Sequence, residues 1–166
     1  QQFKVIRDIV MHNDHVRGIL AQKPLAMSYH DARQIVDLCA AAGVKLAVNQ
    51  NMRYDQSVRA LTDILDRGYL GEPVLGTIEM RAIPHWQPFL ADYDRLTLLN
   101  MSVHHLDVLR FLFGDPVDIF TAARPDPRTT FAHTDGICVS TLRFPSGVLA
   151  VSLEDVWSGP RAEGFE

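Results

Sequence analysis

The stretch Ser28–Val48, SYHDARQIVDLCAAAGVKLAV, has the pattern of an amphipathic helix followed directly by a buried strand. Ser28 can cap this helix, and Asp31 three residues later completes a capping-box pattern. The apolar stripe of the helix consists of Ala32, Ile35, Val36 and Cys39. Gly43 is a natural residue to end the helix. The stretch therefore predicts a helix that leads into a strand over Val44–Val48.

A second short strand is predicted before this helix, over His15–Ala21, and a further helix over Phe3–Met11. The order strand, helix, strand is typical of a parallel sheet. The first third of the chain is therefore interpreted as the tail of a parallel α/β domain.

The pattern changes after residue 54. An amphipathic helix is predicted over Asp55–Arg67, with its apolar residues Val58, Leu61, Ile64 and Leu65 facing inward. A long alternation of side chains then runs from Val74 to Arg81 and predicts a strand. A third helix is predicted over Met101–Phe113. Three strands close the chain: Val117–Ala123, Gly136–Phe144 and Val148–Val156. The residues after 54 therefore predict an α+β domain with a mostly antiparallel, open sheet.

Composition and charge exclude several classes of function. The 166 residues are 47% hydrophobic and 22% charged, as in an ordinary globular protein, and the formal net charge is -4. This negative charge argues against a nucleic-acid partner, which would favour a basic face, and no apolar run approaches the roughly 20 residues that a membrane span needs. Cys39 and Cys138 have no C-x-x-C partner and are predicted to be buried thiols of a reducing compartment, the cytoplasm.

The segment Gln22-Lys23-Pro24-Leu25-Ala26 follows the first predicted strand. In open α/β sheets, ligands bind at the carboxyl ends of the strands. A lysine there can donate a hydrogen bond to a hydroxyl or help to move a proton. The alternative is a surface lysine followed by a proline that ends the strand.

The second candidate is the segment from Asn100 to Asp107, NMSVHHLD. Asn100, His104 and Asp107 form one polar stripe on a helix, and Asp107 could orient His104 from one turn away. An imidazole placed in this way can take the proton from an alcohol as hydride leaves. The alternative is an N-cap, a partly buried structural histidine and a solvated charge.

A metal site is not predicted from the histidines of this helix. Adjacent residues such as His104 and His105 point about 100° apart on a helix, and the H-E-x-x-H spacing is absent. A third polar segment, Asn49–Tyr54, follows the second parallel strand and could line either a cleft or an interdomain loop. No G-x-G-x-x-G occurs in the sequence, so the usual phosphate-binding loop of a dinucleotide site is missing from it.

Taken together, these segments resemble the Gfo/Idh/MocA oxidoreductase family, whose members have an N-terminal Rossmann domain and a C-terminal α+β domain. Residues 22–26 resemble the family's E-K-P-x-A motif with glutamine in place of glutamate, and residues 48–54 resemble the strand end that follows it. Gly68–Pro73 resembles the family's G-x-x-G-x-P, and Asn100–Asp107 its D-x-x-x-H-x-x-D. The exit of the following helix, Phe111–Pro116, is also similar.

The resemblance implies that residues 1–54 are the remainder of a dinucleotide-binding domain and that residues 55–166 form an incomplete domain for substrate binding and oligomerisation. On this reading the sequence is truncated at its N-terminus, and at its C-terminus as well. The implied activity is hydride transfer between NAD or NADP and a hydroxyl-bearing carbon of a sugar, inositol or related polyol.

The resemblance also implies roles for individual residues. Lys23, His104 and Asn100 correspond to catalytic positions, Asn100 standing where the family has aspartate. The implied cofactor-binding residues are Gln22, Lys23, Pro24 and Asn51. The implied substrate-binding residues are Arg53, Arg81, His85, Asp107 and Trp157. Two alternatives remain open: a ligand-sensing or regulatory protein that keeps the fold without catalysis, and a fragment inactive for lack of the glycine-rich loop. A homo-oligomer formed through the open sheet is compatible with catalysis.

Overall fold

The computed structural model describes residues 2–81, 88–129 and 131–155, and it divides into two compact units, Gln1–Gln50 and Asn51–Glu166. Each unit is described by itself. Within the described ranges, no helix is both long enough and apolar enough to span a membrane.

The first unit contains two helices and two parallel strands. Helix α1 spans Gln2–His12, strand β1 Gly18–Ala21, helix α2 Tyr29–Ala41 and strand β2 Lys45–Val48. The strands pair in parallel, with Gly18 opposite Lys45 and Ala21 opposite Val48. The predicted order of helix, strand, helix and strand is confirmed.

The predicted cap of α2 is also confirmed, because the Ser28 hydroxyl accepts a hydrogen bond from the backbone N–H of Asp31 at 3.1 Å. The predicted stripe is correct at its centre, where Ile35 and Cys39 are fully buried, but Val36 is 40% exposed. Val36 therefore lies at the border of the stripe rather than in the core.

In its described residues, the second unit is built on a four-stranded sheet with the spatial order β3-β6-β5-β4. Its strands are β3 (Leu75–Arg81), β4 (Asp118–Arg124), β5 (Ile137–Arg143) and β6 (Leu149–Asp155). Strands β3 and β6 are parallel, and the other two pairs are antiparallel. The predicted α/β segment followed by an α+β unit with a mostly antiparallel open sheet is confirmed.

Helix α4 (Val103–Phe113) packs on one face of this sheet. The core between them contains Leu109, Leu142, Phe144, Val148 and Ala150. A π-helical turn, Leu98–Ser102, precedes α4, so the helical region begins earlier than the predicted Met101. The opposite face of the sheet carries exposed apolar side chains, among them Phe120, Leu75 and Leu149.

Helix α3 (Gln56–Asp66) differs from the prediction, because none of its residues is buried. Its apolar residues line an open groove with a volume of about 580 Å³, whose other walls are β3 and α4. Leu61, predicted to face inward, is 37% exposed. The amphipathic pattern gives the correct element and the correct face, but that face is only half covered.

Candidate active site

Asn100 and His104 lie where the helical region of the second unit begins. In the π-turn the N–H of Val103 donates to the carbonyl of Leu98, and α4 continues directly from it. Asn100 is 8% exposed and His104 is 7% exposed. The two polar side chains are thus held one turn apart in a mostly buried environment. Such π-turns occur frequently at functional sites.

Asp107 has a partner that the sequence did not predict. Its Oδ1 and Oδ2 atoms accept hydrogen bonds from Nη2 and Nε of Arg53, each at 2.5 Å. The Arg53 guanidinium also lies 5.2 Å from the centre of the Phe111 ring. The hydrogen bonds from Arg53 to Asp107 raise the pKa of Arg53. Two residues predicted to bind substrate are therefore paired with each other, and the pair joins the segment before α3 to α4.

Asp135 supports the start of the helical region from a distant part of the chain. Its side chain accepts hydrogen bonds from the backbone N–H of Leu98 at 2.8 Å and of Thr97 at 3.3 Å. These N–H groups belong to the first helical turn, which has no partners of its own for them. Burial raises the pKa of Asp135, and the backbone hydrogen bonds oppose this effect. Sequence reasoning missed this cap because Asp135 comes 37 residues after Leu98.

The loop that carries Asp135 is itself tightly packed. The backbone N–H of Asp126 donates to Nε2 of His133 at 2.9 Å, and Arg128 pairs with both Asp126 and Asp155. A Cβ atom on Gly136 would lie 2.5 Å from Nε2 of His133 and 2.9 Å from the Asp126 backbone nitrogen. No side chain fits at residue 136 unless this loop moves.

We expect Gly136→Ala to lower the free energy of unfolding by about 1–3 kcal/mol, the usual cost of overpacking. The reason is that one of the clashing atoms belongs to the backbone. Gly18→Ala is the matched control, because its nearest neighbour would lie at an ordinary 3.5 Å. Denaturant titration of both variants measures the difference, and equal stability of the two would refute the close packing described.

A second buried carboxylate, Glu154 of β6, contacts the start of the same helical region. Glu154 is 1% exposed; it accepts from the hydroxyls of Ser102 at 2.6 Å and Ser152 at 2.8 Å. Nδ1 of His105 lies 3.3 Å from its Oε1 atom. Sequence reasoning missed Glu154 as well. The available signal was its spacing in the strand. Glu154 comes two residues after Ser152 and four after Ala150, so all three side chains point to the same, buried face.

The predicted lysine segment follows β1 in the first unit. The side-chain amide nitrogen of Gln2 donates to the carbonyls of Gln22 at 2.8 Å, Leu25 at 2.9 Å and Pro24 at 3.3 Å. The Lys23–Pro24 peptide bond is cis. Burial lowers the pKa of Lys23. Gln2 thus fixes the backbone of the segment that carries the candidate lysine, a role that its place in α1 did not suggest.

Two other predicted residues of the second unit, Arg81 and Asn51, lie at exposed positions. Arg81 is exposed on the uncovered face of the sheet, where its Nε atom donates to Glu79 at 2.7 Å. Asn51 is exposed at the start of the second unit. His85 and Trp157 lie outside the described residues.

Comparison with protein families gives a match to the GFO/IDH/MocA C-terminal domain over residues 58–161. This match covers more than half of the chain, and the chain therefore belongs to the GFO/IDH/MocA family.

Individual relatives agree with this assignment. The chain is 35% identical over 135 residues to a D-apiose dehydrogenase of Paraburkholderia graminis, a match that covers 80% of this chain and 36% of that protein. It is 34% identical over 102 residues to an inositol 2-dehydrogenase of Pseudomonas fluorescens, covering 60% of this chain and 29% of that protein. The sequence thus spans well under half of the length of these curated relatives.

Among solved structures, an oxidoreductase from Agrobacterium radiobacter in complex with NAD+, L-tartaric acid and magnesium has a TM-score of 0.83. The match covers 99% of this chain and 47% of that chain, at 24% identity. At this identity the likeness establishes the fold alone.

Proposed function

We propose that the complete protein is an NAD(P)-dependent oxidoreductase that moves hydride to or from a hydroxyl-bearing carbon of a sugar, inositol or related polyol. The observation that carries the proposal is the buried pair Asn100 and His104, one turn apart on a helix start that buried carboxylates hold in place. Membership of the family and the dehydrogenases among its relatives support it.

The residues after β1 fit a nicotinamide site. They lie at the carboxyl end of paired parallel strands, where α/β sheets bind nucleotides. Gln22, Lys23 and Pro24 would line this site, with Lys23 as a donor whose pKa burial lowers. When bound, the nicotinamide would supply the hydride acceptor or donor.

His104 has the chemistry required of the proton acceptor. In oxidation, its imidazole takes the hydroxyl proton of the substrate while the adjacent carbon loses hydride; in reduction, it returns the proton to the new alkoxide oxygen. Because its ring is nearly buried, water has little access to compete for that proton.

Asn100 holds the substrate by hydrogen bonds rather than by charge. Its amide offers both a donor and an acceptor to a hydroxyl. A neutral amide does not raise the basicity of His104 as a carboxylate would. Proton transfer at this helix therefore relies on His104, without a carboxylate at residue 100 to raise its basicity.

The test is turnover of the complete protein with NAD+ and NADP+ and a panel of polyols, in both directions. The relatives make D-apiose and inositols the first compounds to try. We expect turnover with at least one member of the panel. Cofactor or sugar binding without turnover would instead favour the regulatory function, and failure to bind NAD(H) or NADP(H) would refute the oxidoreductase proposal.

We also propose that the uncovered face of the sheet mediates homo-oligomerisation. Phe120 is 70% exposed, Leu75 60% and Leu149 53%, an apolar surface of the kind that marks protein interfaces. Sedimentation of the complete protein should therefore reveal an oligomer that Phe120→Asp dissociates. The control is Tyr29→Asp, which alters an even more exposed aromatic residue of the first unit, 84% exposed. A monomeric native protein would contradict the proposal.

A further inference from the structure

Glu154 occupies a site that is built for an anion. Its side chain is almost fully buried on β6, and the hydroxyls of Ser102 and Ser152 approach different oxygens of the carboxylate, Oε2 and Oε1. A buried carboxylate is costly unless donors compensate for the lost water. Both hydroxyls act here as donors, because an ionised carboxylate only accepts.

His105 adds a third contact to this site. Its Nδ1 atom lies 3.3 Å from Oε1 of Glu154, and the ring is 7% exposed. The contact does not have the geometry of a hydrogen bond, so it counts here as packing of the ring against the carboxylate.

The partners of Glu154 are placed around the candidate proton acceptor. Ser102 ends the π-turn, and His105 follows His104 directly in the first turn of α4. Contacts to residues on both sides of His104 fix the rotation of this turn relative to β6. Neither contact touches the reacting atoms, so the effect of Glu154 on the reaction would pass through the placement of His104.

We propose that Glu154 is a positioning residue for His104 in the hydride-transfer reaction. The inference rests on the proposed function. A shift of about 1 Å in a catalytic group can lower the rate by about 100-fold, so loss of this anchor should reduce turnover without weakening cofactor binding.

The test uses Glu154→Gln in the complete protein. The amide keeps the shape of the side chain but replaces one accepting oxygen by a donor and removes the charge that faces His105. We expect kcat to fall at least about 10-fold, with the Kd for NAD(P)H changed less than about twofold. Asp118→Asn is the control, because this carboxylate is exposed on β4 and pairs only with Arg143 among the described contacts.

A double-mutant cycle with His104→Ala distinguishes positioning from general destabilisation. If Glu154 acts through His104, the Gln substitution should lower kcat little or not at all in the His104→Ala background. An equal loss in both backgrounds, or a kcat within about twofold of the native value in the single variant, would overturn the inference.

Two further measurements keep the inference testable. If Glu154→Gln does not fold, Ser102→Ala removes the 2.6 Å hydrogen bond while leaving the charge in place, and the same cycle applies. If the native protein has no turnover, this result contradicts the proposed function but does not by itself decide whether Glu154 positions His104. The imidazole NMR signals of His104 then provide the readout: a shift in Glu154→Gln but not in Asp118→Asn supports positioning, and identical spectra refute it.

Discussion

His104→Ala should reduce turnover of the complete protein by about 10²- to 10⁴-fold, the usual contribution of a positioned general acid or base. The imidazole is the side chain that would exchange a proton with the substrate hydroxyl, and alanine has no group that can replace it. Cofactor binding should stay close to native, because His104 belongs to the second unit and the proposed nicotinamide residues belong to the first. Steady-state kinetics and titration of NAD(P)H fluorescence measure the two effects separately.

His30→Ala is the matched control for this substitution. His30 is an exposed histidine in the first turn of α2. The control should keep native kinetics. Native turnover in His104→Ala would remove His104 from the mechanism, whereas a parallel loss of cofactor binding would indicate a structural role.

Lys23→Met should lower turnover about 100-fold and also weaken cofactor binding. The family resemblance implies that Lys23 contacts both the nicotinamide and the substrate hydroxyl, so its removal should affect both measurements. This pattern differs from that of His104→Ala, in which only turnover changes. Methionine keeps a chain of similar length without the ammonium group.

Lys45→Met is the control for Lys23, since Lys45 is an exposed lysine on β2 of the same unit. Isothermal titration with NAD(P)H and initial-rate kinetics should leave the control unchanged. Native cofactor affinity and native turnover in Lys23→Met would refute its proposed double role.

The features that the sequence predicts well are those that depend on residues close to one another along the chain. The Ser28 cap involves a residue three positions away, and the stripe of Ile35 and Cys39 follows helical spacing. The helix that carries His104 was likewise recognised from its own pattern of side chains. For such features, local spacing and turn residues contain most of the necessary information.

The features that were missed depend on contacts between distant segments. Ser102 and Glu154 are 52 residues apart, and Arg53 and Asp107 are 54 residues apart. Taken alone, each of these residues has an ordinary interpretation. Ser102 could be any serine in a helix, Arg53 any arginine in a loop, and the two carboxylates ordinary charged side chains. Only the fold brings them together, and the pairing of Arg53 with Asp107 could not be predicted from either residue alone.

The most direct test of the account is the transfer of deuterium from a carbon-deuterated polyol to the nicotinamide by the complete protein. The substrate would be any polyol that gives turnover, deuterated at the carbon that is oxidised. The account predicts that the label appears in the reduced nicotinamide and that His104→Ala transfers the same label about 10²- to 10⁴-fold more slowly. Turnover that releases the deuterium into water, or no transfer with any polyol despite bound cofactor, would contradict it.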